Sequence, residues 1–292
     1  SNTYYEGKRY GDIWGYKTDR LYQYSDFELG SDGKPQLITL TADESAKYAG
    51  KKAYKLKTVD GKKPVYQPYL QNSSNFYFGP GDVKFVDLNG DGEINNGSNS
   101  EGDHGDLSVI GNSTPRYEYG LRLGADWKGF DCSIFFQGVG KRQIWGSGFL
   151  AIPGYNSSDG AMPQTFAGDF WKDDRTDAFY PRAWNLGGSN TGFSMQKQSR
   201  YLLDMSYLRI KNITLGYTFP ENLLSKVYIS KARLYMSLEN FFTFDKLNGL
   251  PIDPEAISGY SMFRSDSNYN LGRTGMGTPV FKTLSCGVQL TF

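Results

Sequence analysis

The second half of the chain alternates apolar and polar positions with a period of two. In the closing stretch 280–292, Val280, Lys282, Leu284, Cys286, Val288, Leu290 and Phe292 share one face, and Phe281, Thr283, Ser285, Gly287, Gln289 and Thr291 share the other. The first face is apolar except for Lys282, and the second is mostly small and polar. Such alternation predicts a strand with dissimilar surroundings on its two sides. In 116–127, Tyr117, Tyr119, Leu121, Leu123, Ala125 and Trp127 alternate with Arg116, Glu118, Gly120, Arg122, Gly124 and Asp126. In 130–139, Phe130, Cys132, Ile134 and Phe136 oppose Asp131, Ser133 and Gln137, joined by Phe135. In 231–242, Ala232, Leu234, Met236, Leu238 and Phe242 oppose Arg233, Ser237 and Glu239. The stretch 206–219 is less regular. Ile213, Leu215, Tyr217 and Phe219 form one row, while Leu208 and Ile210 have the opposite parity. Either a bulge near Lys211 shifts the register, or those two residues pack inward.

An apolar face opposite a charged or small one suits a strand with hydrocarbon outside and an aqueous or plugged lumen inside. A chain ending on Phe after such a strand resembles the C-terminal assembly signal of outer-membrane barrels. Connection lengths agree. With the last strand descending, 231–242 ascends after the short link 220–230, 206–219 descends after a long outside loop 140–205, and 128–139 ascends through a tight turn after 115–127. By parity, weakly alternating residues 5–22 supply a sixth, ascending strand. Residues 23–114 then form a long extracellular excursion, expected to carry small β elements near 52–57 and 83–86. The expected fold is all-β, about six strands of a large antiparallel transmembrane barrel. Residues 1–114 form the ascending strand and excursion; 115–292 form the wall, with extracellular loops 140–205 and 243–279. Six strands are too few to close a barrel in lipid, where an open edge leaves backbone groups unpaired. The missing strands are expected upstream.

Composition changes the picture in two ways. Mean hydropathy is −0.54 and no apolar run reaches the roughly 18 residues that a transmembrane helix needs; barrel strands, apolar at alternate positions, escape that test. Aromatics make up 16% of the chain, with 22 Tyr and 19 Phe, as suits rings that touch both lipid and water. The same composition also fits a secreted β-sandwich. The 32 basic and 31 acidic residues leave a net charge of +1, and nothing recommends a nucleic-acid partner. Cys132 and Cys286 both fall on apolar faces and are read as small apolar residues. The first residues, SNTYYEGKRYGDIWGY, show no signal-peptide core, so the start of an exported precursor is expected further upstream.

The sharpest local motif is Asp87-Leu88-Asn89-Gly90-Asp91-Gly92-Glu93-Ile94-Asn95. Oxygen ligands at positions 1, 3 and 5, Gly at 6, a carbonyl from Glu93 at 7 and Ile at 8 match the first part of a calcium loop. Position 12 is Ser98 instead of an acid, and either Asp103 or Asp106 would have to return to the site. The ion, if bound, is structural Ca2+; the alternative is an Asx-rich turn held by side-chain to backbone bonds. His104, the single histidine, is read as solvated, and no catalytic arrangement can be assembled, so the chain is expected not to be an enzyme. Trp145, Trp171 and Trp184 are candidates for stacking on sugar rings of a substrate, or else they pack the loop.

Several runs resemble one family. They are Gly79-Pro80-Gly81-Asp82-Val83-Lys84-Phe85-Val86 running into the 87–94 motif, Asp106-Leu107-Ser108-Val109-Ile110-Gly111, Pro115, Tyr119-Gly120, Gly11-Asp12-Ile13-Trp14-Gly15-Tyr16-Lys17-Thr18-Asp19, Phe170-Trp171-Lys172-Asp173-Asp174 with Tyr180-Pro181-Arg182, and Ser206-Tyr207-Leu208-Arg209-Ile210 through Tyr217 with Pro220. Together they are similar to the C-terminal region of SusC/RagA-type transporters, the TonB-dependent outer-membrane importers of Bacteroidetes. The resemblance implies a plugged barrel of about 22 strands, a SusD-like surface lipoprotein as a lid, a TonB complex acting through a plug region, and an oligosaccharide or oligopeptide substrate. It also favours Asp106 as the closing ligand, since the family has Asp shortly before its Val-Ile-Gly. Two other functions stay open on the residues alone: a passive porin-like or structural barrel, and a soluble calcium-dependent carbohydrate-binding β-protein.

Overall fold

The computed structural model describes residues 8–71, 76–146, 164–183, 196–224, 228–255 and 280–292. In chain order its strands are β1 (Asp12–Tyr16), β2 (Thr18–Leu21), β3 (Leu37–Thr39), β4 (Lys52–Tyr54), β5 (Val83–Phe85), β6 (Leu107–Asn112), β7 (Tyr117–Trp127), β8 (Phe130–Gly140), β9 (Gln143–Trp145), β10 (Leu202–Asp204), β11 (Tyr207–Thr218), β12 (Lys231–Asp245) and β13 (Thr283–Thr291); one short helix, α1, covers Glu221–Leu224.

The five long strands form one antiparallel sheet in the order β13-β12-β11-β8-β7. Pairing aligns the alternating positions into rows that cross all five strands. One row is Leu123, Ile134, Ile213, Leu238 and Leu284; the next toward the turns holds Ala125, Cys132, Leu215, Met236 and Cys286. The interleaved row is Gly124, Ser133, Thr214, Ser237 and Ser285. One surface of the sheet is thus apolar and the other small and polar. Leu123, Leu234, Leu284 and Val288 are 51%, 49%, 59% and 64% exposed. A contiguous apolar surface of that kind marks contact with lipid or a partner.

The irregularity in 206–219 is a bulge. Register shifts between Ile210 and Asn212 in both pairings of β11: against β8, Lys211 is the extra residue, and against β12, Lys211 faces the two residues Asn240 and Phe241. One added residue exchanges the two faces of the strand. Ile210 therefore aligns with Phe136 and Phe242, in the apolar rows, and Arg209 turns to the polar side. Opposite the bulge Asn240 has φ +57.

Short connections lie at one end of the sheet and long ones at the other. The β7–β8 turn is Lys128-Gly129 with φ +48 and +88, the primed geometry that matches strand twist. Residues 219–230 join β11 to β12 at the same end, and 141–206 and 246–282 leave from the other.

The expected sixth strand over 5–22 is found, in its described part, as β1 and β2, and these pair with β6 and β5 instead of with the five-stranded sheet. Gly15 explains one close approach: a Cβ there would lie 2.5 Å from the Lys197 carbonyl oxygen, which accepts from the Tyr16 N–H at 2.8 Å. The region 23–114 is folded, with β4 and β5 where strand signals lie near 52–57 and 83–86. Its core includes Phe27, Val83, Phe85 and Ile94, with Tyr22 just before it, and it continues into Phe166, Tyr180, Met205 and Ile252 from the long connections. This core joins three distant parts of the chain into one loop body, and a smaller cluster of Leu40, Ala53 and Tyr66 holds β3 and β4 beside it.

Candidate functional site

Three assemblies position the polar chemistry. The first is a hub in the loop body. Asp82 is fully buried and accepts from the Gly79 N–H (2.8 Å) and from Arg182 Nη2 (2.5 Å). The Arg182 N–H donates to the Gly81 carbonyl, and the Gly81 N–H donates to that of Tyr22. Gly81, at φ +84, lies close to Trp171, whose ring would meet a Cβ at 2.5 Å. The sequence runs 79–86, 170–174 and 180–182, distant along the chain, therefore meet at one point.

The second is the 87–106 turn. The Gly90 and Gly92 N–H groups donate to Asp87 at 2.7 and 2.9 Å, the Asp91 N–H to Asn89 Oδ1 at 3.1 Å, and the Glu93 N–H to Asp91 at 2.9 Å. Asp106, fully buried, returns to the turn and takes the N–H groups of Leu88 (2.8 Å) and Asn95 (2.7 Å), one on each oxygen. Burial pushes its carboxyl above the usual range; the two N–H groups oppose this, and Asp87 and Asp91 reinforce it. The Glu93 carboxylate points elsewhere, to Ser45 Oγ and the Lys47 N–H. Each side chain expected to ligate calcium thus already binds backbone N–H or a neighbouring residue. Among the described residues no three His, Cys, Asp or Glu side chains are grouped to hold a metal. The arrangement closes the turn through Asx-type bonds. Replacing Asp106 by Asn puts an amide NH2 against one of the two N–H donors. This should cost about 1–3 kcal/mol in thermal or denaturant melts, with calcium or with a chelator. An effect seen only with calcium would make the ion the closing element.

The third lies on the polar face of the sheet. Arg233 on β12 grips Asp131 on β8 through Nε (2.8 Å) and Nη2 (2.5 Å), passing over Gly216 on the intervening β11. Only Gly fits beneath, since a Cβ would sit 2.4 Å from Asp131 Oδ1. At the loop end of β11, buried Arg209 donates to Asp253 (2.7 Å), to Glu255 and to Thr243 Oγ1 (2.8 Å), while Lys211 holds Glu255 at 2.6 and 2.8 Å. Burial disfavours charge on Asp253, but the Glu255 N–H, the Arg209 guanidinium and the Val280 N–H outweigh it and hold the carboxyl below its usual range. The segment 253–255 is thereby pinned across the polar face.

Of the three tryptophans, the two that are described pack against the core of the loop body. Trp171 is buried in the core of the loop body, its Nε1 3.4 Å from Gln23 Oε1. Its ring packs the loop. Trp145, on β9, is half-buried against the same core. Trp184 lies outside the described residues. The Asp82–Arg182 and Arg209–Asp253–Glu255 clusters went unnoticed in the sequence. The available signal was parity: once a bulge is placed at Lys211, Arg209 belongs to the inward row and needs a carboxylate partner.

No family model matches the chain. The TonB-dependent receptor P3 of Formosa agariphila is 30% identical over 297 residues, which is 98% of this chain and 22% of that protein. The chain belongs with the TonB-dependent receptors. The TonB-dependent receptor P26 of the same organism is 26% identical across 73% of the chain and 20% of its own length. The solved RagAB peptide transporter shares the fold at a TM-score of 0.50 and 19% identity, over 96% of this chain and 23% of that one. The chain spans about a fifth of the length of the curated relatives it matches. Such receptors are outer-membrane proteins of Bacteroidetes, and the two-faced sheet is the part of this receptor suited to the bilayer.

Proposed function

We propose that the chain forms part of the barrel wall and the extracellular loop body of an importer. That importer takes up an oligosaccharide or oligopeptide across the outer membrane with energy from a TonB complex. The observation that carries this is the match to TonB-dependent receptor P3 along nearly the whole chain, on a sheet with one apolar and one polar face. The neighbouring solved structure is described as a peptide transporter, which supports the reading of an imported oligomer. A SusD-like lipoprotein resting on the loop body as a lid belongs to the same proposal. The size and packed core of that body support it, since a rigid platform is what a docked lid requires.

A passive porin-like barrel is the competing function. Deleting the gene in a strain that grows on the cargo, and separately inactivating TonB, decides between them. The importer reading expects both lesions to abolish uptake of labelled oligomer. Uptake that survives loss of TonB would establish the passive pore.

A further inference from the structure

We propose that the small body built on β3 and β4 is an electrostatic capture surface for a polyanionic oligosaccharide, a chain bearing sulfate or carboxylate groups. This rests on the importer function and narrows its substrate class.

Seven lysines fall between residues 47 and 63 against a single acid, Asp60, in a chain whose net charge is only +1. Lys47, Lys51, Lys52, Lys57, Lys62 and Lys63 are exposed. Among the described residues only Lys55 of this set meets a carboxylate, that of Glu28 at 2.8 Å. The lysines are displayed on one fixed scaffold. Leu40, Ala53 and Tyr66 form its core, with Ile38, Tyr48 and Leu56 packed around them. Backbone bonds tie the display together, from the Lys51 N–H to the Tyr48 carbonyl and from the Leu40 N–H to that of Lys51.

The choice of cation indicates the occupant. No arginine occurs between Arg20 and Arg116. Arginine, with its planar fork, suits a protein interface of fixed shape, and such interfaces are depleted in lysine. Lysine is a hydrated point charge on a flexible stem, and it follows a mobile anionic chain through charge density. Aromatic rings lie alongside. Tyr69 is 41% exposed and its ring centroid is 6.4 Å from that of Tyr48, while Lys47 Nζ sits 5.7 Å from the Tyr48 ring. A ring face beside an ammonium group matches a sugar ring beside its acidic substituent.

The test uses the full transporter in detergent, with dextran sulfate oligosaccharides and neutral dextran as probes, at 50 and 200 mM salt. The native protein is expected to bind dextran sulfate with an affinity that falls steeply with salt. The combined variant Lys51→Ala, Lys52→Ala, Lys57→Ala, Lys62→Ala should bind at least tenfold more weakly with a shallower salt slope, and the matching Lys→Arg set should retain binding. Heat-modifiable migration on gels checks that every variant holds a folded barrel. Equal affinity in the Ala variant, or neutral dextran binding as well as the sulfated form, overturns the proposal. So does loss of lipoprotein association in the Ala variant with dextran sulfate binding unchanged, which would assign the lysines to a protein interface. Equilibrium binding needs no TonB, so failure here leaves the importer function standing; that function fails in the uptake assay.

Discussion

Replacing Ile213 by Arg should sharply reduce the amount of folded receptor in the outer membrane, while Thr214→Arg, one residue along, should leave it nearly unchanged. Ile213 is the central member of the row Leu123, Ile134, Ile213, Leu238 and Leu284. A cation on the lipid face of a barrel strand costs about 2–4 kcal/mol near the bilayer midplane and little on the lumen side. Thr214 belongs to the row of Gly124, Ser133, Ser237 and Ser285, where small neighbours leave room for a longer side chain. Heat-modifiable migration of membrane fractions measures the difference. Equal loss from both substitutions would mean that the two faces meet similar surroundings.

The second large effect is expected from Arg182→Ala. It strips the guanidinium from Asp82, a carboxylate with no solvent exposure that also accepts from the Gly79 N–H. Breaking a buried ion pair from one side costs about 3–5 kcal/mol, because the remaining charge is uncompensated. The loss should appear as protease sensitivity of the loop body, with cleavage in 23–114 or near 170–182 and an intact barrel. Asp82→Asn combined with Arg182→Met should recover part of the stability, since removing both partners leaves less unsatisfied charge. A single mutant as protease-resistant as the native protein would show that the hub is not what joins the segments.

The wall was legible in the sequence because its determinant is local. A strand between hydrocarbon and a polar interior must alternate, and 116–127 or 231–242 could be assigned residue by residue. The parity break at Leu208 and Ile210 gave away the bulge for the same reason, although it did not by itself exclude inward packing. The loop body was illegible because its determinants are not local. The 79–82 run looks like a turn, and nothing nearby says that Asp82 will be buried under Arg182, a hundred positions later. Residues 5–22 were expected to extend the wall since parity demanded an ascending strand; in the described part, β1 and β2 are instead held by β6 and β5. Trp171 illustrates the limit of composition. An aromatic in a polar loop suggests sugar stacking, whereas contact with Gly81 and Gln23 makes it part of a core. The calcium-like spacing marks the 87–95 turn but leaves Asp103 and Asp106 open, with only the family resemblance favouring Asp106, and spacing cannot tell whether oxygens face an ion or backbone N–H groups.

The account depends above all on the wall having one side in hydrocarbon. Single cysteines placed at Leu123, Ile213 and Leu284, and at Gly124, Thr214 and Ser285, in a receptor whose Cys132 and Cys286 are replaced by Ala, can carry spin labels in the assembled protein in bilayers. The first three should be relaxed by oxygen and shielded from a water-soluble nickel complex, and the second three should not be oxygen-accessible from lipid. Nickel relaxation at both sets, or oxygen relaxation at both, would contradict the assignment.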